Sequence, residues 1–97
     1  MNNEKFDFFG NEIIMNDIKI ITIKLVVEKA MFGLFKKESM IPVLVLKSSE
    51  QPLLGTPLTG SEAGEWLAYA RNYIEVTLGC EVLEQVKDDG THAFVFL

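Results

Sequence analysis

The sequence predicts an α+β fold, with one long amphipathic helix packed on one face of a mainly antiparallel sheet of four or five strands, in the order β-β-β-α-β-β. Three observations support this prediction. The stretch Thr59–Gly79 has the period of a helix with one apolar face. Two runs, Ile18–Glu28 and Met40–Leu46, are rich in β-branched or continuously apolar residues. An Asp-Gly pair, a strong hairpin signal, separates two further strand-like runs near the end of the chain.

The helix has recognisable start and stop signals. Thr59 followed by Glu62 fits a capping box, although Ser61 is a competing cap. Gly79 follows the last apolar residue, where glycine best adopts the left-handed conformation that ends a helix. The residues predicted to face the core are Ala63, Trp66, Leu67, Ala70, Tyr73, Ile74, Thr77 and Leu78. The residues predicted to face water are Gly64, Ala68, Arg71, Asn72 and Glu75, with Arg71 and Glu75 spaced for an ion pair.

Short strands are predicted at the start of the chain. Lys5–Phe9 and Glu12–Met15 flank a turn dipeptide, Gly10-Asn11. We expect the two runs to form two short strands around that turn.

The run Ile18–Glu28 is predicted to be a strand with one side in water. The adjacent residues Ile20 and Ile21 indicate either a β-bulge or a stretch buried on both faces. A helix capped by Asp17 is the alternative, but the β-branched content favours the strand. Its expected antiparallel partner is Met40–Leu46, in which Pro42 stands near the start, where a strand tolerates proline.

Residues 31–37, MFGLFKK, place large apolar side chains where a polar connection between strands is expected. One interpretation folds the segment over the core as a helical turn or an extension of a strand. The other makes Phe32, Leu34 and Phe35 an exposed apolar anchor that binds a partner. Residues 47–58 form a second unusual connection, because twelve residues are more than most links in compact domains need. A plain crossover and a binding loop are both open interpretations.

Residues Cys80–Lys87 and Thr91–Leu97 are predicted to pair as a hairpin with Asp89-Gly90 as a two-residue turn. In that register Val86 faces Ala93, and the last strand, apolar on both faces, belongs inside the sheet. Cys80 then lies roughly 20 Å from His92 at 3.3 Å per residue, too far for a catalytic pair. We expect Cys80 to be a small buried side chain and His92 a surface residue.

The composition predicts one small globular domain over residues 1–97. A hydrophobic content of 48% with seven phenylalanines excludes a disordered chain. No apolar run has the roughly 18 residues that a membrane span needs, and the N-terminus lacks the features of a signal peptide, so a cytoplasmic protein is expected. One cysteine and one histidine are too few ligands for structural zinc, and no cofactor is expected.

Charge is distributed unevenly along the chain. Residues 1–49 carry seven lysines against six acids, whereas residues 50–97 carry two basic residues against eight acids, which gives net charges of +1 and −6. This balance argues against nucleic-acid binding, which requires clustered Lys and Arg. The acidic half either keeps the protein soluble or attracts a basic partner.

These features predict a non-enzymatic protein-binding module, of the inhibitor or adaptor type, with an acidic helix and hairpin surface and an apolar anchor. The catalytic constellations that would indicate an enzyme are missing from the sequence. Tyr69 adds an amphipathic side chain of the kind that interfaces favour. The partner-binding residues predicted from the sequence are Glu62, Glu65, Tyr69, Glu75, Phe32, Leu34 and Phe35. The alternative is a homo-oligomer, such as a homodimer, that binds a small ligand between subunits through residues 31–37 and 47–58.

Overall fold

The computed structural model describes residues 4–30, 33 and 35–97 of the chain. One helix packs against a five-stranded antiparallel sheet, and a two-stranded sheet stands apart from it, so the predicted α+β class is confirmed. The strands are β1 (Lys5–Phe8), β2 (Asn11–Ile14), β3 (Ile18–Ala30), β4 (Phe35–Leu46), β5 (Leu53–Leu54), β6 (Val82–Val86) and β7 (His92–Phe96). The helix, α1, spans Gly60–Leu78, and a 3₁₀ turn at Met15–Asp17 joins β2 to β3.

The strands of the large sheet lie in the spatial order β5-β4-β3-β7-β6, and each neighbouring pair is antiparallel. Strand β7 lies between β3 and β6, as its two apolar faces predicted. Five strands precede the helix, against three in the predicted order and four among the individually predicted runs. The strand without a predicted counterpart is β5, which the long connection adds at the edge of the large sheet, while β1 and β2 form a sheet of their own.

Strands β3 and β4 form a long hairpin, which confirms the strand interpretation of this region over the helical one. Their register shifts between Ile18 and Ile20, so a β-bulge is present with Lys19 as the extra residue. In a regular strand, residues 18 and 21 would face opposite sides of the sheet. The bulge allows Ile18 and Ile21 both to be fully buried in the same core.

Pro42 lies in the middle of β4, because the strand begins at Phe35 and not at Met40 as predicted. Its missing N–H faces the edge of the sheet. The backbone of Met40 exchanges hydrogen bonds of 3.1 and 2.8 Å with Leu58, and two residues further the Pro42 carbonyl accepts a 2.8 Å bond from Gly55 N. Proline therefore removes no hydrogen bond between β4 and the central strand β3.

Residues 47–58 follow the edge of the sheet as an ordered crossover. The Asp17 carboxylate accepts hydrogen bonds from the backbone N and the hydroxyl of Ser48 at the start of the connection, the former at 3.0 Å. The bonds to β4 described above hold its second half. The crossover interpretation thus agrees with the structure.

The helix begins and ends as predicted. Thr59 Oγ1 accepts a 3.2 Å bond from Glu62 N, and the Glu62 carboxylate accepts a 3.1 Å bond from Thr59 N, which completes the capping box. Gly79 ends the helix at a φ of 62°. The helical residues that are buried against the sheet are Ala63, Leu67, Ala70 and Ile74.

The face of α1 that meets the sheet is narrower than the predicted stripe. Trp66 is half-buried and Tyr73 is 40% exposed, because both lie on the flank of the helix beside the β1–β2 hairpin. Arg71, expected in water, is half-buried: its guanidinium lies 5.5 Å from the centre of the Phe94 ring and 3.3 Å from Glu75. The predicted Arg71–Glu75 pair is confirmed.

The β6–β7 register prediction was wrong by one residue, since Val86 lies opposite His92 and not Ala93. Lys87 N donates a hydrogen bond of 2.8 Å to Thr91 O and closes the hairpin. The loop therefore consists of the three residues 88–90, and not of the two predicted turn residues Asp89 and Gly90. Gly90 adopts a φ of 84°, as in a type I turn followed by a left-handed residue. His92 is exposed, as predicted.

The N-terminal turn is also displaced by one residue from its predicted position. Phe9 and Gly10, at φ values of 50° and 89°, connect β1 to β2. Positive φ at both central positions is the requirement of a type I′ turn. The hairpin places Phe6 and Phe8 in the core, beside the helix.

Candidate aromatic binding pocket

The four predicted contact residues on the helix differ in their availability. Glu62 is engaged in the capping box, where the hydrogen bonds from Thr59 lower the pKa of its carboxyl group. Glu75 is paired with Arg71 at 3.3 Å. Glu65 is exposed and has no hydrogen-bond or ion-pair partner among the described residues, and Tyr69 is 60% exposed. The part of the predicted acidic surface that is free to meet a partner is therefore centred on Glu65 and Tyr69.

The structure describes only part of the predicted apolar anchor. Phe32 and Leu34 lie outside the described residues. Phe35 is the first residue of β4, and its side chain also lies outside the description. The following residues, Lys36 and Lys37, are exposed. The anchor remains a prediction.

The β1–β2 hairpin and the flank of α1 build a continuous cluster of aromatic rings. Phe8 meets Phe9 edge to face at 5.1 Å, and Trp66 lies 5.9 Å from Phe8 and 5.7 Å from Phe9. At the other end of the cluster, Tyr73 lies 6.2 Å from Phe6 and 5.9 Å from Tyr69. These centroid separations are typical of favourable aromatic pairs, worth about 0.5–1.5 kcal/mol each beyond area burial.

Several of the rings are inclined to their neighbours and form a concave wall. Interplanar angles are 37° for Phe9 with Trp66, 46° for Phe6 with Tyr73 and 32° for Tyr69 with Tyr73. The wall lines a half-open cavity of about 440 Å³, within the range of ligand sites. The cavity is lined by Lys5, Phe6, Asp7, Phe9, Trp66, Tyr69 and Tyr73.

Phe9 occupies its place in this wall at a conformational cost. Among the described residues other than glycine, it alone has a positive φ, and the left-handed region costs an L-residue about 1–2 kcal/mol. Its ring packs on Phe8, on Trp66 and on the backbone at Gly55. Strain of this kind persists where surrounding contacts determine the conformation, and it occurs often at binding sites.

The cavity is lined by one basic and one acidic side chain, Lys5 and Asp7. Lys5 lines the cavity, but its ammonium group lies 3.3 Å from the Glu12 carboxylate, which offsets its charge. Asp7 also lines the cavity, with one carboxylate oxygen accepting a 3.0 Å hydrogen bond from Gly10 N. Glu65 lies one helical turn before Tyr69 and adds a second exposed carboxylate to this side. Electron-rich ring faces with the Asp7 carboxylate beside them, and Glu65 nearby on the same helix, favour a cation.

The described part of the chain offers little to other kinds of site. No group of three or more His, Cys, Asp or Glu residues within it is placed to hold a metal ion. His92 is paired with Glu84 on the C-terminal hairpin, with 2.6 Å between Nδ1 and Oε1. Across the same residues, no helix combines the length and the hydropathy needed to cross a bilayer.

No protein-family model matches the chain, and neither a curated protein nor a solved structure matches it.

Sequence reasoning identified one residue of the pocket, Tyr69, as a contact residue. Trp66 and Tyr73 were assigned to the core because helical period alone does not distinguish the residues under the sheet from those on the flank. Phe6 and Phe9 belonged to a short strand whose packing partner had no signal in the sequence. The clustering of aromatic residues in the first nine residues of a chain with one tryptophan was the available clue.

Proposed function

We propose that this protein is a non-enzymatic protein-binding module whose aromatic pocket receives a basic side chain, of the arginine type, from a partner protein. The observation that carries the proposal is the concave wall of five aromatic residues between β1 and α1, held together at the cost of a left-handed Phe9.

The pocket suits a guanidinium group for two reasons. Its planar, weakly hydrated cation stacks on ring faces, and a cation over an aromatic ring gains about 0.5–1 kcal/mol at an exposed site and about 2 when it is desolvated. The Asp7 carboxylate in the pocket lining, and the exposed Glu65 one helical turn before Tyr69, add attraction that depends on salt. The acidic second half of the chain extends this attraction to a basic surface around the inserted side chain.

The fluorescence of Trp66 gives a direct test, because it is the single tryptophan of the chain and lies in the pocket wall. We would titrate the protein with a short capped peptide that carries one central arginine, and with a matched peptide that carries citrulline. Citrulline keeps the shape of arginine but has no charge. The arginine peptide is expected to change the Trp66 emission and to bind about fivefold more tightly, the factor that corresponds to about 1 kcal/mol.

Two helix variants make the test specific. Tyr69→Ala removes a wall of the pocket and should weaken the arginine peptide, whereas Val76→Ala, at a position 72% exposed on the same helix, should leave binding unchanged. Raising the salt concentration should weaken the arginine peptide only. Equal binding of the two peptides, or equal binding to the two variants, would show that the pocket does not recognise a cation.

A further inference from the structure

The two faces of the large sheet differ in what covers them. The face toward α1 carries Ile21, Ile23, Leu44, Phe94 and Phe96, which all belong to the buried core. Strand pairing places the alternate residues on the opposite face: Ile20 lies beside Val45 and Val95, and Leu83 lies beside Val95. We call this opposite side the open face; its apolar residues are Ile20, Ile41, Val43, Val45, Leu54, Leu83, Ala93 and Val95.

The open face is apolar although no described element packs on it. Val43 and Ala93 are buried between neighbouring strands, yet neither belongs to the core that α1 covers. Ile20, Val45 and Val95 are half-buried and make no contact with that core, and the outer residues Leu54 and Leu83 are 56% and 49% exposed. An antiparallel sheet with one face in water normally has polar residues on that face. Thr22 and Gln85 interrupt the apolar surface across its centre, and Lys24 lies on the same face beside Ile41.

The dimensions of the open face fit a second copy of this chain. Its four longer strands, about 4.8 Å apart and some six residues long across the body of the sheet, give with the short β5 an area roughly 20 Å by 20 Å. With the relief of the side chains, two such faces would bury on the order of 1,000 Å² in total, the lower bound for a specific interface. A two-fold interface brings the same patch against itself. The charged residue that strand pairing places beside Ile41, Lys24, is exposed at the end of the face toward the β3–β4 turn, where its ammonium group reaches water. The helix acids Glu62, Glu65 and Glu75 lie on the other side of the sheet.

We infer that two copies of this protein associate through their open faces, sheet against sheet. The two sheets then form a sandwich with α1 and the β1–β2 hairpin of each copy on the outside. Both aromatic pockets stay accessible in this dimer, so the inference is independent of the function proposed above and extends it to a bivalent module.

The molar mass in solution tests the inference. Light scattering coupled to size exclusion, from about 5 μM to about 500 μM protein, covers the micromolar dissociation constants expected of a small interface. The mass should rise with concentration to twice the 10.9 kDa of one chain. It should not fall when salt is raised from about 0.05 M to about 0.5 M, because apolar contacts are not screened. A mass of one chain throughout, or dissociation by salt, would overturn the inference.

Three lysine substitutions locate the interface. Ile20→Lys at the centre of the open face and Leu83→Lys at its edge should both abolish the dimer, while Val76→Lys on the exposed side of α1 should retain it. Leu83 is already half exposed, so its lysine variant keeps the inference testable if Ile20→Lys fails to fold. Circular dichroism would confirm that each variant retains the helix. A folded Leu83→Lys protein that dimerises as strongly as the Val76→Lys control would place the contact elsewhere and refute the open-face dimer.

Discussion

Replacing Gly55 with alanine tests whether the Phe9 ring is fixed in the wall of the aromatic pocket. A Cβ atom at position 55 would lie 2.6 Å from Phe9 Cδ2 and 2.7 Å from Cε2. Carbon atoms pack at about 3.5–4.0 Å, so the ring or the backbone would have to move by about 1 Å. The ring has little freedom to move, because Phe8 and Trp66 hold it at 5.1 and 5.7 Å. We expect the substitution to lower the free energy of unfolding by about 1–3 kcal/mol, the usual cost of overpacking.

A double-mutant cycle separates the clash from any general effect of alanine at this position. In the background Phe9→Ala the ring is absent, so Gly55→Ala should cost close to nothing, and the coupling between the two positions should be about 1–3 kcal/mol. Urea unfolding followed by Trp66 fluorescence, at one fixed protein concentration because association adds to apparent stability, measures all four proteins. The Gly55→Ala protein should also bind the arginine peptide more weakly, since its pocket wall is displaced.

A Gly55→Ala substitution that costs the same free energy of unfolding in both backgrounds would contradict this prediction. Such additivity would mean that the Phe9 ring does not rest on Gly55. The left-handed turn would then have to be explained without the pocket.

The remaining predictions concern the ends of the helix. Thr59→Ala removes the N-cap and should lower the free energy of unfolding by about 1 kcal/mol in urea titrations. Gly79→Ala places a side chain at a φ of 62° and should cost about 1–2 kcal/mol in the same assay. The pKa of Glu62 is lowered in the folded protein by its hydrogen bonds with Thr59, so its contribution is present above its unfolded pKa of about 4.3 and is lost as pH falls through the lower folded value. Glu62→Gln should therefore flatten the loss of stability in this acidic range, while Glu65→Gln should leave that pH profile unchanged; identical profiles for both variants would contradict the capping role.

Local signals in the sequence predicted the elements whose geometry depends on residues close to one another along the chain. The capping box and the left-handed Gly79 specify both ends of the helix within a few positions. The adjacent isoleucines at 20 and 21 left a bulge and a stretch buried on both faces as alternatives, and the structure has a bulge, with Lys19 as the extra residue. The two hairpin turns were each displaced by one residue. In the C-terminal hairpin this happened because a glycine after two aspartates suits a three-residue loop as well as a two-residue one, and the choice depends on the pairing of Lys87 with Thr91.

The pocket could not be predicted from such signals, because it joins residues about sixty positions apart. Helical period placed Trp66 and Tyr73 in a stripe wider than the sheet covers, and nothing local shows that the β1–β2 hairpin packs on their flank. The left-handed Phe9 is likewise a tertiary effect. Statistics of turn residues predict glycine or asparagine there, and only the contacts with Trp66 and Gly55 explain a phenylalanine.

The proton NMR spectrum of a bound guest would test the central proposal most directly. We would add acetyl-arginine methylamide to the protein and follow the δ-methylene protons of the arginine, which would stand over the ring faces of Trp66, Tyr69 and Tyr73. Ring currents should move these resonances upfield as protein is added, and Tyr69→Ala should reduce the shift. Unshifted δ-methylene resonances, or shifts that persist in the Tyr69→Ala protein, would contradict the recognition of a basic side chain by this pocket.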